Sequence, residues 1–415
     1  MTDLRLTNTL TNKKEIFEPR KNGCVKLFTC GPSVYRRQHL GNYRTYLFED
    51  VLQKHLGYLG FHVDRLVNLT DIEDKAVAEA RERGVSLREQ VRPVEEAFYR
   101  ECGLLGIDLP ATMPRATSSV DAAVDLIRTL VDRGHAYWHD GEVFFDPLTY
   151  EGFGRVYGLD MSLWPKEKVR FRKDTYPGRR WNLGDFILWH KRRDEDGEFW
   201  WDTPIGQGRP AWNVQDASMI TKHFGFQIDI HTGGIDNIYR HHDYTLAVME
   251  SASGIEFCRW WLHGGHLLVN GRKMSKSEGN VSFVDDLIGR GFHPRHIRFF
   301  LLYGHYREKL DMSISRLEER AGYLDRIRLL GLRLFSCTDK NPRDKSDGLA
   351  KSMLSEYERC MNDDLDYAGA FDAVARHLES ALSNGKDIAC RVRSSLQAAV
   401  QKVDKILGVL GLDGS

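Results

Sequence analysis

Residues 25–70, VKLFTCGPSVYRRQHLGNYRTYLFEDVLQKHLGYLGFHVDRLVNLT, carry the pattern from which the architecture follows. Val25 to Gly31 is a short apolar run closed by glycine and reads as a buried strand. From Gly41 to about Gly57, Tyr43, Leu47, Val51, Leu52 and Leu56 recur at helical spacing. Gly60 punctuates, and 61–69 reads as a second strand before Thr70-Asp71. Strand, helix, strand is a βαβ unit, which implies a parallel sheet with a right-handed crossover. Ligands in such sheets sit beyond the carboxyl ends of the strands. Cys30, the turn His39-Leu40-Gly41-Asn42 and Thr70 all fall at those ends.

The pattern returns further along. Residues 226–231 (FQIDIH) read as a strand entering Thr232-Gly233-Gly234, followed by a helix through 241–251. Residues 258–263 (CRWWLH) read as a strand reaching Gly264-Gly265. Between the two halves, about 95–200 is richer in aromatic and charged residues and reads as an insertion. Residues 293–309 look helical and basic, and from about 313 to 412 heptad-like spacing (Leu317, Leu324, Ile327; Leu396, Val400, Val403) predicts a helical bundle. The fold class expected is α/β, a Rossmann-type parallel-sheet core with an inserted domain and a C-terminal α-helical bundle.

Composition narrows the function. The 415 residues suffice for two or three domains. Lys+Arg and Asp+Glu are both 59, and zero formal net charge argues against non-specific, backbone-driven nucleic-acid binding. The cysteines (24, 30, 102, 258, 337, 360 and 390) include no CxxC pair, so they read as reduced thiols. No signal-peptide core and no bilayer-length apolar run is evident, so a soluble, cytoplasmic protein without a membrane partner is expected.

Two short motifs carry the chemistry. His39 and Asn42 bracket Gly41 where a helix opens, and a helix N-terminus presents free N–H groups and a positive dipole end to anions. Glycine there lets a nucleotide approach the backbone. Far downstream, Lys273-Met274-Ser275-Lys276-Ser277 is a doubly cationic loop flanked by Gly271 and Gly279. Its two ammonium groups are spaced to hold a departing pyrophosphate. Attack of a carboxylate on an α-phosphorus builds negative charge that such donors stabilise. ATP with Mg²⁺ is therefore the expected cosubstrate.

The pair resembles the two ATP motifs of class I aminoacyl-tRNA synthetases. The wider sequence resembles the cysteinyl-tRNA synthetase family in Cys30-Gly31-Pro32, Thr70-Asp71-Ile72-Glu73-Asp74-Lys75, Gly208-Arg209-Pro210 with Trp212, Pro114-Arg115-Ala116-Thr117, Gly134-His135-Ala136-Tyr137 and Phe299–Arg307. That resemblance implies a first half of the catalytic core at 1–95, a connective domain inserted at 96–200 and the second half at 201–265. A stem-contact region carrying the KMSKS loop would occupy 266–312, and the bundle 313–415. It assigns His39, Asn42, Lys273 and Lys276 to catalysis. ATP would meet His39, Gly41, Gly234, Asp236, Lys273, Ser275 and Lys276. The amino acid would meet Cys30, Thr70, Trp212, Asp216, Asp236 and His241.

The family reads cysteine through zinc held by two cysteines, a histidine and a glutamate. Here Cys30 and His241 match, Asp216 stands at the second cysteine and Thr245 at the glutamate. Zinc is therefore expected only as a weakened site on Cys30, Asp216 and His241, with Asp243 as a further oxygen. Asp216 as an unpaired buried carboxylate would favour an amino acid other than cysteine, polar or amine-bearing; the alternative is that it caps or salt-bridges within the fold. His241 and His242, adjacent on a helix, should point apart so that only one ligates. Gly233-Gly234 with Asp236 resembles the family's adenosine-holding turn. Trp200-Trp201 and Trp260-Trp261 read as packing residues. The chain also resembles the mycothiol-pathway cysteine ligase in lacking a match to the anticodon-reading domain. Three outcomes stay open: aminoacylation of tRNA, amide formation on a small amine or carrier, and a non-catalytic nucleotide-binding paralogue.

Overall fold

The computed structural model describes residues 3–170, 184–275, 279–336, 347–383 and 393–412. Lys276 and Ser277 of the lysine loop, and Cys337 and Cys390, lie outside the described residues. An N-terminal hairpin (β1, Arg5–Asn8; β2, Lys13–Ile16) precedes the core strand β3 (Cys24–Thr29). The crossover helix α1 (Leu40–Tyr58) then leads to β4 (His62–Val67). Helices α2 (Asp74–Arg83), α3 (Leu87–Leu104) and α4 (Val120–Asp132) follow, and α3 runs across position 95. An antiparallel sheet is built from β5 (Ala136–His139), β6 (Glu142–Phe145), β7 (Phe186–Lys191) and β8 (Gly208–Pro210). Its last strand runs directly into α5 (Trp212–Phe224).

The chain then returns to the core through β9 (Ile228–Gly234), α6 (Asp243–Ser253) and β10 (Cys258–Gly264). The core sheet has the order β10-β9-β3-β4 and is parallel throughout. Its strands alternate between two apolar layers, as burial on both faces requires. Leu27, Ile230, Trp260 and Leu262 join α1 and the helices beyond it. Phe28 and Trp261 join the layer of α4, α5 and α6. The adjacent tryptophans 260 and 261 thus anchor opposite layers and are both buried.

After the core, β11 (Leu267–Val269) and β12 (Arg272–Lys273) form a hairpin, and β13 (Leu310–Met312) adds to it in parallel. Asn270 and Gly271, with φ of 51° and 79°, form its two-residue turn, the left-handed pair that the twist of a hairpin favours. Helices α7 (Val284–Gly289) and α8 (Pro294–Leu302) lie between β12 and β13. The helix expected over 293–309 stops at Leu302, just before Gly304, whose φ is 145°. Helices α9 (Ile314–Ser336), α10 (Asp347–Met361), α11 (Tyr367–Ser383) and α12 (Arg393–Leu407) make the bundle. Among the described residues, no helix is long and apolar enough to cross a membrane.

Candidate active site

β3 feeds α1 and β4 toward one edge of the sheet, and β9 feeds α6 and β10 toward the other. The strand order therefore reverses between β3 and β9, and the loops leaving these strands part to open a crevice. A cleft of about 890 Å³ lies there. Cys30 follows β3, Thr70 follows β4, Gly234 ends β9, and Asp236 and His241 follow β9; all five line the cleft. Trp212 and Asp216 reach it from α5, and His39, Gly41 and Asn42 from the start of α1. Lys273 and Ser275 complete the lining from the hairpin and the residues just beyond it. Apart from Asp243, the candidates named from sequence and described in the structure thus share one cleft, while Lys276 lies outside the described residues.

The histidine turn is held by its own residues. His39 is extended (φ −96°, ψ 169°), and its backbone N–H donates to Asn42 Oδ1 at 3.0 Å. A Cβ on Gly41 would lie 3.0 Å from the His39 ring, so glycine lets the imidazole fold over the first helical turn. Opposite, Lys273 Nζ pairs with Asp236 Oδ2 at 2.6 Å, and His266 Nε2 meets Asp236 Oδ1 at 2.8 Å. Burial works against the Asp236 charge, but His266 and Lys273 outweigh it and hold the carboxyl down at about 2. Asn280, which the sequence reading did not single out, clamps the loop after the hairpin. Its side chain donates to the Lys273 carbonyl and accepts from the Ser275 N–H, both at 2.9 Å. An Asn three residues past the pentapeptide, after Gly279, is the available signal.

At the deep end, Cys30, Asp216 and His241 converge. Cys30 Sγ lies 3.3 Å from His241 Nε2 and 3.8 Å from Asp216 Oδ2, and the last two atoms are 3.0 Å apart. Burial and the Asp216 charge raise the Cys30 thiol. Burial works against protonation of His241, but Asp216 and Cys30 outweigh it and favour the imidazolium. Asn68 Nδ2 donates to Asp216 Oδ1 at 2.9 Å, while Asn68 Oδ1 accepts the Gly31 N–H at 2.6 Å. Of the two readings of Asp216, the unpaired carboxylate is corrected and the pairing within the fold holds, since both oxygens are engaged. Asn68 gave no warning, because a lone polar residue in a strand end has no periodicity to betray it. The Trp212 ring stands against His241, with centroids 5.6 Å apart.

Two further expectations change. Asp243 turns away from this trio: its Oδ1 accepts the Val156 N–H at 2.9 Å, and burial pushes its carboxyl up to about 7. His242 does not point fully away from His241. The backbone kinks at Arg240 (φ 71°), and donor atoms of Cys30, His241 and His242 lie within 4.8 Å of one another. His242 Nδ1 meets His263 Nε2 at 2.7 Å, which leaves Nε2 as its remaining ring nitrogen. Thr245 donates its hydroxyl to the His241 carbonyl at 2.9 Å rather than facing the trio.

Donors sharing one tetrahedral zinc lie about 3.3–3.7 Å apart, given bonds of about 2.0–2.3 Å. The separations of 3.0, 3.3 and 3.8 Å among Asp216, His241 and Cys30 bracket that range, each outlier within about 0.3 Å of it. Thiolate, imidazole and carboxylate are all zinc donors.

The buried histidines make a stability prediction. Burial, aided by Arg307, lowers His263 to about 3, and burial lowers His55 to about 4. Both pKa values are depressed below the ordinary 6.5, so the stability they contribute is present above pH 6.5. It is lost as pH falls toward 4. Each should cost on the order of 3 kcal/mol by pH 4. Urea denaturation across pH 7.5 to 4 should show the midpoint falling steadily; a flat profile down to pH 4.5 contradicts this account.

A parallel sheet with its switch point between β3 and β9, a histidine turn on one rim and a lysine hairpin on the other define the catalytic core of a class I aminoacyl-tRNA synthetase. The family profile described as tRNA synthetases class I (C) catalytic domain matches residues 16–321. The cysteine–tRNA ligase of Brachyspira hyodysenteriae is 32% identical over 416 residues, covering 99% of this chain and 87% of the relative. That of Chlamydia trachomatis serovar D is 36% identical over 429 residues, covering 98% and 88%. That of Chlamydia muridarum is 41% identical over 329 residues, covering 79% and 68%. Among solved structures, Mycobacterium tuberculosis methionyl-tRNA synthetase with methionyl-adenylate aligns with a TM-score of 0.64 at 18% identity, covering 94% of this chain and 91% of that one. An Agrobacterium radiobacter K84 LeuRS–tRNA complex aligns with a TM-score of 0.66 at 12% identity, covering 95% and 85%. At these identities the structural likeness speaks for the fold. The chain belongs to the cysteine–tRNA ligase family of class I synthetases, a family of ligases that use ATP.

Proposed function

We propose that this chain activates a small amino acid with ATP and transfers it to tRNA. The observation that carries the reading is the shared cleft, which brings the histidine turn, the lysine hairpin and the Cys30–Asp216–His241 trio to one switch point. ATP lies across the carboxyl ends of β3 and β9, with the adenosine beside Gly234. The triphosphate extends past Gly41 toward His39, Asn42, Lys273 and Ser275, with Lys276 assigned to it from the sequence motif alone; Mg²⁺, when bound, would offset the phosphate charge. The amino acid sits beside Thr70 and Trp212, with its ammonium toward Asp236. Its carboxylate oxygen attacks the α-phosphorus; the bond to the β-phosphate bridging oxygen breaks, and pyrophosphate leaves with the charge that His39 and the lysines stabilise. A ribose hydroxyl at the tRNA end then attacks the acyl carbon, and AMP departs. No protein nucleophile is needed, since positioning and charge supply the rate.

The substrate side chain meets Cys30, Asp216 and His241. Because Asp216 is already paired with His241 and Asn68, the trio does not offer a spare negative charge. It suits a small polar side chain better than a cationic one. The convergent donors favour one second reading, in which Cys30, Asp216 and His241 hold zinc. When bound there, the ion would supply a soft coordination position for a substrate thiolate. ATP–pyrophosphate exchange with cysteine, serine and 2,3-diaminopropionate, run beside elemental analysis and charging of total tRNA, tests both. Exchange led by serine on zinc-free protein supports the first reading, and exchange led by diaminopropionate overturns its preference for an uncharged side chain. Cysteine-only exchange on zinc-loaded protein supports the second. No exchange with any acid overturns adenylation itself.

A further inference from the structure

Arg44 lies in the second turn of α1, five residues after His39, and is buried. Its guanidinium makes no ion pair within the described residues. One terminal nitrogen donates to the carbonyls of Gly265 (2.6 Å) and His266 (3.1 Å), and the other to those of His305 (3.1 Å) and Glu308 (2.7 Å). These carbonyls belong to the segments that enter β11, the first strand of the lysine hairpin, and β13, its partner on the other edge. Residues 265–266 join β10 to β11, and 305–308 lead into β13, which pairs with β11. The two segments also touch directly. Gly265 N–H donates to the Tyr306 carbonyl at 2.8 Å, and a Cβ on Gly265 would lie 2.5 Å from the Arg307 and Glu308 carbonyl oxygens.

A buried cation bonded to carbonyls is costly to place, and burial, only partly offset by the Glu308 charge, lowers its pKa to about 10. The fork geometry of a guanidinium suits it to bind two pairs of acceptors at fixed spacing. The helix that presents His39 and Asn42 is thereby bolted to the base of the strand pair that presents Lys273. Leu267, at the start of β11, also packs beside Gly41: its Cβ is 3.7 Å from where a Gly41 Cβ would stand.

We propose that Arg44 is a positioning residue that sets the separation between the two ATP-binding motifs and acts on catalysis through Lys273. The inference rests on the assignment of Lys273 to the phosphates, which the proposed function makes. Arg44→Lys keeps the charge but loses the fork, so the hairpin base should shift while the core stays folded. A misplacement near 1 Å is enough to cost about a hundredfold in rate. Residues acting through one another show non-additive effects, whereas a general loss of fold multiplies through.

The test is a double-mutant cycle of Arg44→Lys and Lys273→Ala, read by kcat and KM for ATP and for the amino acid in pyrophosphate exchange. Arg44→Lys alone should lower kcat/KM for ATP by about a hundredfold and leave the amino-acid KM unchanged. In the Lys273→Ala background the same change should cost little. An equal loss in both backgrounds, a matching rise in the amino-acid KM, or no loss at all overturns the proposal. Should Arg44→Lys fail to fold, Gly265→Ala displaces the same corner and enters the same cycle. If Lys273→Ala by itself leaves exchange intact, the assignment of Lys273 has failed instead, and the two failures are told apart.

Discussion

Alanine in place of His39 should lower ATP–pyrophosphate exchange by about two to three orders of magnitude. The imidazole lines the cleft at the mouth of α1, where the helix dipole and the turn already favour an anion. Negative charge grows on the phosphate oxygens as the carboxylate attacks. A donor held in place before that moment is worth far more than water, which must reorganise. The bond from the His39 backbone N–H to Asn42 Oδ1 remains in this variant and holds the turn, while the imidazole's reciprocal contact with the backbone of the first turn is lost. Gly41→Ala offers a graded companion. Its methyl would press on the ring at 3.0 Å and displace the imidazole without removing it, so exchange should fall by a smaller factor. Kinetics should place the His39→Ala loss in kcat rather than in the amino-acid KM. Undiminished exchange with the fold intact removes His39 from the mechanism.

The frame of this cleft is legible in the sequence because periodicity and glycine report it. β3, α1 and β4 follow from an apolar run, a helical spacing and Gly60, and the switch point follows once β9 and β10 are read the same way. What stays hidden are the buried polar residues that hold the motifs still. Asn68 reaches Asp216 across 148 positions, and Arg44 reaches Gly265 across 221. A single polar side chain inside an apolar stretch carries no signal about which distant carbonyl or carboxylate awaits it. Local backbone exceptions are hidden for a related reason. The expectation that His241 and His242 diverge assumed a regular helix. Arg240 breaks that helix with a left-handed φ that a non-glycine side chain rarely adopts, and the two rings come to share one neighbourhood. The substitutions at 216 and 245 were visible at once, but their meaning was not. Only the partners of Asp216 show that its charge is spent within the protein.

Asp216→Cys combined with Thr245→Glu should convert the trio into a tight zinc site and turn the enzyme toward cysteine. Residue 216 already aims its terminal atoms at Cys30 and His241, so a thiolate there enters the same triangle. Residue 245 lies in the first turn of α6, four positions after His241, whose carbonyl it already reaches. Its hydroxyl now turns back to the His241 carbonyl, and a glutamate can extend past that point toward the ring. Two thiolates bind zinc more strongly than a thiolate and a carboxylate, since the softer donor matches the ion. Packing alone separates a thiol from a hydroxyl of similar size by only about 1–3 kcal/mol. A metal that binds sulfur directly exceeds that limit, so preference for cysteine over serine in exchange should rise by about a hundredfold or more. Zinc content near one ion per chain after dialysis, with that shift, places selectivity in the trio. Zinc retained without the shift places it instead in the packing of Trp212 and Thr70 around the side chain. If the unaltered protein already retains one zinc through dialysis and selects cysteine, Asp216 is itself a working ligand. The double substitution would then raise affinity for the metal and leave the substrate as it was.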